Sequence, residues 1–288
     1  MSSNKIKFAF LGTPDVSSRT LQILKDKGFI PSIIITSPDS PKGRGLTMTE
    51  TPTSLWAKEN NIPCLKPEKI DSLFTEKLSS LDLELFIVVA YGKILPEDFI
   101  KTPKYGTINI HYSLLPKYRR ASPLEAALLN GDEKTGISIQ QMEYKLDSGP
   151  ILAEEEIEIA INDTKEELRD TLIALGGNCL CDLLPKIQTG DLKPKPQDES
   201  QATFCKKIKK EHGMIDTEDD PKELWNKYRA FYGWPGLFFF KEYKGKQLRV
   251  KITWATYKNN SFIIKRVIPE GKKEMSYDEF LKWQQPSI

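Results

Sequence analysis

The alternation of apolar and polar stretches carries most of the fold information in this chain. Ile6 to Leu11 is a nearly continuous apolar run ending at Gly12, and it predicts a buried first strand. Val16 to Lys27 carries Leu21 and Leu24 on one helical face, with Asp15 at its start and Gly28 to close it. Ser32 to Thr36 is β-branched and reads as a second strand, and Thr51-Pro52 opens a second helix. Leu85 to Ala90 and Thr107 to His111 predict two further strands, and Leu124 to Leu129 a helix. Gly136 to Met142 and Ile151 to Ile159 alternate and read as antiparallel strands, followed by a long helix over 164–187. Strands alternating with helices predict an α/β fold, a mainly parallel sheet with helices on both faces. Such sheets bind ligands at the carboxyl ends of their strands, where His111 and the Ala90-Tyr91-Gly92 turn fall.

The texture changes after residue 189. The segment 190–204 carries Gly190, Pro194, Pro196 and several charges, and predicts an exposed linker. Beyond a helical stretch from Pro221, short β-type runs alternate with turns at 243–245 and 258–260, which predicts a small barrel or sandwich over 205–288. The expected organisation is thus an α/β domain at 1–189, a linker at 190–204 and a second domain at 205–288.

Charge sharpens this division. The 288 residues sum to +2, but residues 205–288 hold 18 Lys/Arg against 11 Asp/Glu, a net of +7, which leaves −5 for the rest. A basic segment on an acidic one suits a polyanionic partner, and equally suits a solvated lysine-rich surface. The sequence starts without the apolar core of a signal peptide, and no apolar run approaches the ~18 residues of a membrane span. Cys64, Cys179, Cys181 and Cys205 have neither C-x-x-C nor zinc spacing, so they read as reduced thiols of a cytoplasmic protein with no metal site.

Chemistry-bearing residues are few. There are two histidines, and His212 lies in a charged stretch that predicts exposure. Asn109 and His111 stand two apart on a predicted strand, so both side chains share one face. A carboxamide there can donate to a developing oxyanion, and an imidazole can move protons near neutral pH. Asp147, in the Leu146-Asp147-Ser148-Gly149 turn, can orient or stabilise a charged histidine. Each of the three, taken singly, fits a structural role as well. Gly12-Thr13-Pro14-Asp15 and Lys42-Gly43-Arg44-Gly45 match no phosphate-binding fingerprint, and no serine sits in a nucleophile elbow.

In order, Leu11-Gly12-Thr13-Pro14-Asp15, Gly43-Arg44-Gly45, Ala90-Tyr91-Gly92-Lys93-Ile94-Leu95-Pro96, Asn109-Ile110-His111-Tyr112-Ser113-Leu114-Leu115-Pro116 and Leu146-Asp147-Ser148-Gly149 resemble the folate-dependent formyltransferases. Arg229-Ala230-Phe231 with Trp234-Pro235, and Gly271-Lys272-Lys273-Glu274-Met275, narrow the resemblance to those acting on methionyl-tRNA. The resemblance implies formyl transfer from 10-formyltetrahydrofolate to the α-amino group of initiator methionyl-tRNA, with tetrahydrofolate leaving and no metal required. It implies a catalytic trio of Asn109, His111 and Asp147. Asn109 would bind the oxyanion, His111 would handle a proton or polarise the formyl group, and Asp147 would orient His111. Tyr91, Gly92, Ser113, Leu114, Leu115 and Pro116 would wall the folate site. The second domain would be an oligonucleotide-binding-like barrel that tracks tRNA phosphates through Lys206, Lys207, Lys209, Lys210, Lys272 and Lys273, with Arg44 reaching the acceptor end. The expected protein is a cytoplasmic monomer.

Two departures stand out. Arg120 occupies a position where such enzymes carry glycine, which strains the backbone if φ is positive there. Leu46-Thr47 replace the lysines common after Gly-Arg-Gly, which shifts tRNA affinity towards the basic domain. A formyltransferase for a nucleotide-linked amino sugar would share the trio without needing the basic domain. An RNA-binding protein with a degenerate enzyme domain would have no need to keep all three polar residues.

Overall fold

The computed structural model describes residues 6–43 and 45–284. They form two compact units, one of residues Met1–Arg120, Gly136–Ile157 and Asp170–Phe204, the other of Ala121–Thr135, Glu158–Arg169 and Cys205–Ile288.

The first unit is built on a seven-stranded sheet. Its strands in chain order are β1 Phe8–Gly12, β2 Ile33–Ile35, β3 Cys64–Leu65, β4 Leu85–Val89, β5 Thr107–His111, β6 Lys134–Gln141 and β7 Ile151–Glu158. They lie in the order β7-β6-β5-β4-β1-β2-β3. The five from β5 to β3 are parallel, and β6 joins β5 antiparallel. Every residue of β1 and β4 is buried, as a central strand covered on both faces requires. Ala9, Leu11, Ile35, Phe86 and Val88 share one core with Leu78, Phe99 and Ile100. Helices α1 Asp15–Asp26, α2 Pro52–Glu59, α3 Ser72–Ser79 and α4 Glu97–Ile100 cross between the parallel strands. The turn after β1 is close-packed: a Cβ on Gly12 would lie 2.5 Å from the Ser17 Cβ, and Ser17 Oγ donates to the Val89 carbonyl at 2.7 Å.

The stretch 190–204 is exposed or half-buried throughout, as expected of it, but it is docked. Lys195 pairs with Ile151 at the edge of the sheet, and the Thr203 N–H donates to the Pro116 carbonyl. Prolines and charges suit exposure, but they leave backbone groups that dock as readily on an open strand edge.

The second unit borrows two segments from earlier in the sequence. Helix α5 Pro123–Asn130 packs on α7 Pro221–Ala230, and α6 Lys165–Thr189 begins in this unit and ends in the first. Arg229, 3% exposed, explains the grouping. Its guanidinium donates to the carbonyls of Ala160 and Asp163 and, at 2.7 Å, to Asn226 Oδ1. Trp225 Nε1 reaches the Ile161 carbonyl at 2.8 Å. The unit's sheet has four antiparallel strands, β8 Phe238–Tyr243, β9 Lys246–Lys258, β10 Ser261–Pro269 and β11 Met275–Ser276, with α8 Tyr277–Gln284 against it. A register shift at Ile252–Ala255 breaks the ladder between β9 and β10, as a bulge does. Lys244-Gly245 and Asn259-Asn260 turn the chain with positive φ at both positions, the geometry that two-residue hairpins need.

Replacing Arg229 by alanine removes a donor from the Asp163 carbonyl and from Asn226 Oδ1, and leaves the Ala160 carbonyl with the Asp163 N–H alone. The expected loss is about 3 kcal/mol in denaturant unfolding; a loss within experimental error would remove Arg229 from this tethering role.

Candidate active site

The register of β5 and β6 assembles a polar patch. Asn109 stands opposite Gln140 and His111 opposite Ser138, so all four side chains point to one face. Ile137 and Ile139, which alternate with them on β6, are fully buried on the other face. Ser138 Oγ accepts the Leu115 N–H at 2.9 Å and donates to the Ser113 carbonyl at 2.8 Å, fixing the loop that leaves β5. The same loop is tied by Ser113 Oγ to the Lys117 carbonyl at 2.6 Å, and by the Tyr118 N–H to Thr203 Oγ1 at 2.8 Å.

That loop sets the protonation pattern of His111. The ring is 6% exposed, and Nε2 lies 2.8 Å from the Tyr118 carbonyl oxygen. A carbonyl only accepts, so Nε2 carries the hydrogen. The ring nitrogen left without a hydrogen is therefore Nδ1, which faces Asp147 Oδ1 at 3.8 Å. That separation is an ion-pair distance for a charged ring and too long for a hydrogen bond. The group that orients His111 is thus the Tyr118 carbonyl rather than Asp147.

Asp147 is itself held on every side. Its φ is +55. Oδ2 accepts the Arg120 N–H at 2.7 Å, and Oδ1 accepts Gln140 Nε2 at 2.9 Å. Gln197 Nε2 binds the carbonyls of Asp147 and Gly149, while its Oε1 receives Nε and Nη2 of the fully buried Arg119. Arg119 also donates to Glu199 at 2.6 Å, and Lys145 from the Asp147 turn meets the other Glu199 oxygen at 2.6 Å. Arg120 has φ +78, so the strain anticipated for a side chain there is present. It costs about 1 kcal/mol and aims the N–H at the carboxylate.

Comparison with known proteins names this arrangement. The formyl transferase family matches residues 5–184, and the formyl transferase C-terminal domain matches residues 207–262. A methionyl-tRNA formyltransferase from Sulfurihydrogenibium sp. is 40% identical over 250 residues, 86% of this chain and 80% of the relative. The chain belongs to the methionyl-tRNA formyltransferase family. Two solved structures share the fold. An N-formyltransferase from Helicobacter canadensis, in complex with folinic acid and dTDP-3-aminofucose, has a TM-score of 0.66 at 20% identity, covering 88% of each chain. A methionyl-tRNA formyltransferase from Clostridium thermocellum has 0.59 at 20% identity, covering 92% of this chain and 98% of that one.

Within the formyltransferase fold, the expected donor-site residues divide. Gly92 has φ +80, with open space where a side chain would stand. The Tyr91 ring instead packs in the core, 2% exposed, its hydroxyl pushed up to about 12 by burial. Only its backbone remains to line a pocket. Ser113 and Leu115 are buried, whereas Leu114 and Pro116 keep partial exposure. Lys206, Lys207, Lys209, Lys210, Lys272 and Lys273 are all exposed. Arg44 lies outside the described residues. Gln140, Gln197 and Arg119 were not anticipated as site residues. The signal for Gln140 was available, since a glutamine two residues beyond Ser138 on an alternating strand shares its face. A cleft of about 610 Å³ elsewhere in this unit, lined by Glu155, Cys179, Asp182 and Lys186, holds none of these groups. Its Cys179 thiol is raised to about 11 by burial, which leaves it unreactive.

Glu199 supplies a pH test of the scaffold. Hydrogen bonds from Arg119 and then Lys145 lower its carboxyl to about 2. Its unfolded value is about 4.3. A depressed folded value means that its stabilising contribution is complete above the unfolded pKa and is lost as pH falls through the folded one. The melting-temperature gap between wild type and Glu199→Gln should hold steady at neutral pH and close between about pH 4.3 and 2. A gap independent of pH would show that the Arg119–Glu199–Lys145 cluster does not act this way.

Proposed function

We propose that the chain transfers the formyl group of 10-formyltetrahydrofolate to the α-amino group of methionine on initiator tRNA. The observation that carries the choice of acceptor is the 40% identity, over most of both chains, to an enzyme named for methionyl-tRNA. Likeness of fold cannot choose, because the amino-sugar enzyme superimposes at least as well as the tRNA enzyme.

The donor is a substrate, and the polar patch fits it. The Asn109 carboxamide is half-buried with no protein partner among the described residues, and Gln140 Oε1 is buried without a partner. A buried acceptor left open costs about 1–3 kcal/mol, which a substrate donor placed there recovers.

The roles follow from the geometry. Asn109 donates to the formyl oxygen as negative charge builds on it when the amine attacks the formyl carbon. His111 Nδ1 takes the proton that the attacking amine gives up and can return it to the nitrogen that leaves as tetrahydrofolate. Asp147, fixed by Arg120 and Gln140, stabilises the imidazolium during that interval across 3.8 Å. Keeping Nε2–H on the Tyr118 carbonyl prevents the ring from turning its wrong nitrogen to the substrate.

The lysines of 205–288 are assigned to tRNA phosphates. As folded, this assignment is local. Segments 121–135 and 158–169 each carry a net of −2, so the second unit is +3 rather than +7. The exposed lysines at 206–210 and 272–273 hold positive charge that the borrowed segments offset elsewhere. Among the described residues no helix is long and apolar enough to cross a membrane, and the four cysteines are free, in keeping with a cytoplasmic site of action. All catalytic groups come from one chain, so a monomer suffices.

The test offers 10-formyltetrahydrofolate with either initiator methionyl-tRNA or nucleotide-linked amino sugars. Formylation of methionyl-tRNA is expected, and formylation of a sugar alone would overturn the reading. Asn109→Ala, His111→Ala and Asp147→Ala should each lower turnover by about 10²-fold or more with folding retained. Near-normal turnover in His111→Ala would remove it from proton transfer.

A further inference from the structure

Arg120 does more than present its N–H. Its side chain is exposed, and the guanidinium carbon lies 4.9 Å from the ring centroid of Phe204, itself 54% exposed. No carboxylate pairs with it among the described residues. A large side chain is thus kept at φ +78, where glycine would be relaxed, and its backbone N–H is bonded to the catalytic carboxylate. Phe204 is held in place by its neighbour Thr203, which binds Pro116, Tyr118 and Arg119 through its backbone and hydroxyl. An unpaired cation over an exposed aromatic ring, one residue from a buried arginine and one carboxylate from His111, is a surface with two recognition elements.

We propose that Arg120 and Phe204 form a subsite for the single-stranded 3′ end of the tRNA, resting on the methionyl-tRNA reading above. Arg120 pairs with a backbone phosphate next to the aminoacylated end, and Phe204 stacks on an unpaired base. Phosphate pairing plus sequence-tolerant stacking is how proteins grip single-stranded RNA. The pair sits where the acceptor strand must come closest to Asp147 and His111. In sequence, Lys206 and Lys207 follow directly, so the cationic stretch begins at this point. The subsite supplies anion binding near the reaction centre in a chain whose Gly43-Arg44-Gly45 loop runs into Leu46-Thr47 rather than lysines.

The experiment is steady-state formylation, varying methionyl-tRNA and 10-formyltetrahydrofolate separately, with wild type, Arg120→Gly, Arg120→Lys and Phe204→Ala. Arg120→Gly keeps the N–H and suits φ +78, so it tests the side chain without unfolding the loop. KM for methionyl-tRNA should rise about fivefold or more in Arg120→Gly and Phe204→Ala, and KM for the folate should stay within about twofold. The dependence of log(kcat/KM) on log salt should be shallower by about one in Arg120→Gly and unchanged in Arg120→Lys. An unchanged tRNA KM and salt slope in Arg120→Gly would overturn the subsite. So would a rise confined to the folate KM, which would place the guanidinium on a folate carboxylate. Wild type inert towards methionyl-tRNA but active on an amino sugar would instead defeat the reading beneath it.

Discussion

The Asp147 carboxylate is the point on which the site depends. One oxygen is fixed by a backbone N–H from the loop after β5 and the other by a glutamine of β6, and the residue's own carbonyl is held by Gln197. Three stretches distant in sequence, 113–120, 134–149 and 197–203, therefore meet at one residue. A carboxylate so immobilised keeps a constant separation from His111 Nδ1, which matters because electrostatic stabilisation works through groups that need not reorganise as charge develops. Had Asp147 bonded His111 directly, the ring would have been pinned at the nitrogen to which we assign the proton exchange. Transferring the orienting task to the Tyr118 carbonyl leaves Nδ1 available.

The loops around this anion need unusual backbone conformations. Tyr118, Arg120, Ser122 and Asp147 all have positive φ, with none of them glycine. Such strain persists only where surrounding contacts overdetermine it. Here those contacts are the buried Arg119, its two bonds to Gln197, and its ion pair with Glu199. Arg119 is fully buried, and a buried guanidinium stripped of partners is costly, so the segment 197–199 cannot detach without incurring that cost. Scaffold stability and the geometry of the candidate site are consequently coupled through the same few side chains.

The parallel sheet was legible because fully buried strands leave continuous apolar runs, as in Leu85 to Val89, and turns leave Gly, Pro and Asn. The two strand-spaced residues Asn109 and His111 were legible for a related reason: period two fixes a face. Their partners were not, because register is a tertiary property. Nothing local says that Gln140 lies opposite Asn109, or that Gln197 returns to the Asp147 turn. The exposure of 190–204 was legible, but its docking was not, for the same cause. Prolines and charges describe a segment's solubility, whereas its docking is decided by whichever strand edge has unpaired backbone groups. Tyr91 is a different case. Its neighbour Gly92 does face open space, but a ring at the end of a strand in an apolar core gains more by burial than by lining a pocket.

Charge shows most plainly how folding revises a linear reading. Counted along the sequence, the last 84 residues form a strongly basic block. Once Arg229 and Trp225 draw 158–169 into the same unit, and α5 brings 121–135 with it, much of that excess is offset. A polyanion would therefore meet local cationic stretches rather than a uniformly positive body. Local attraction weakens over roughly 10 Å at moderate salt, so each lysine contributes only where the backbone of the RNA passes close to it. The contacts that decide affinity must then be short-range and geometrically fixed. Arg120 meets both conditions, because the strained backbone that holds its N–H on Asp147 also fixes where its side chain begins.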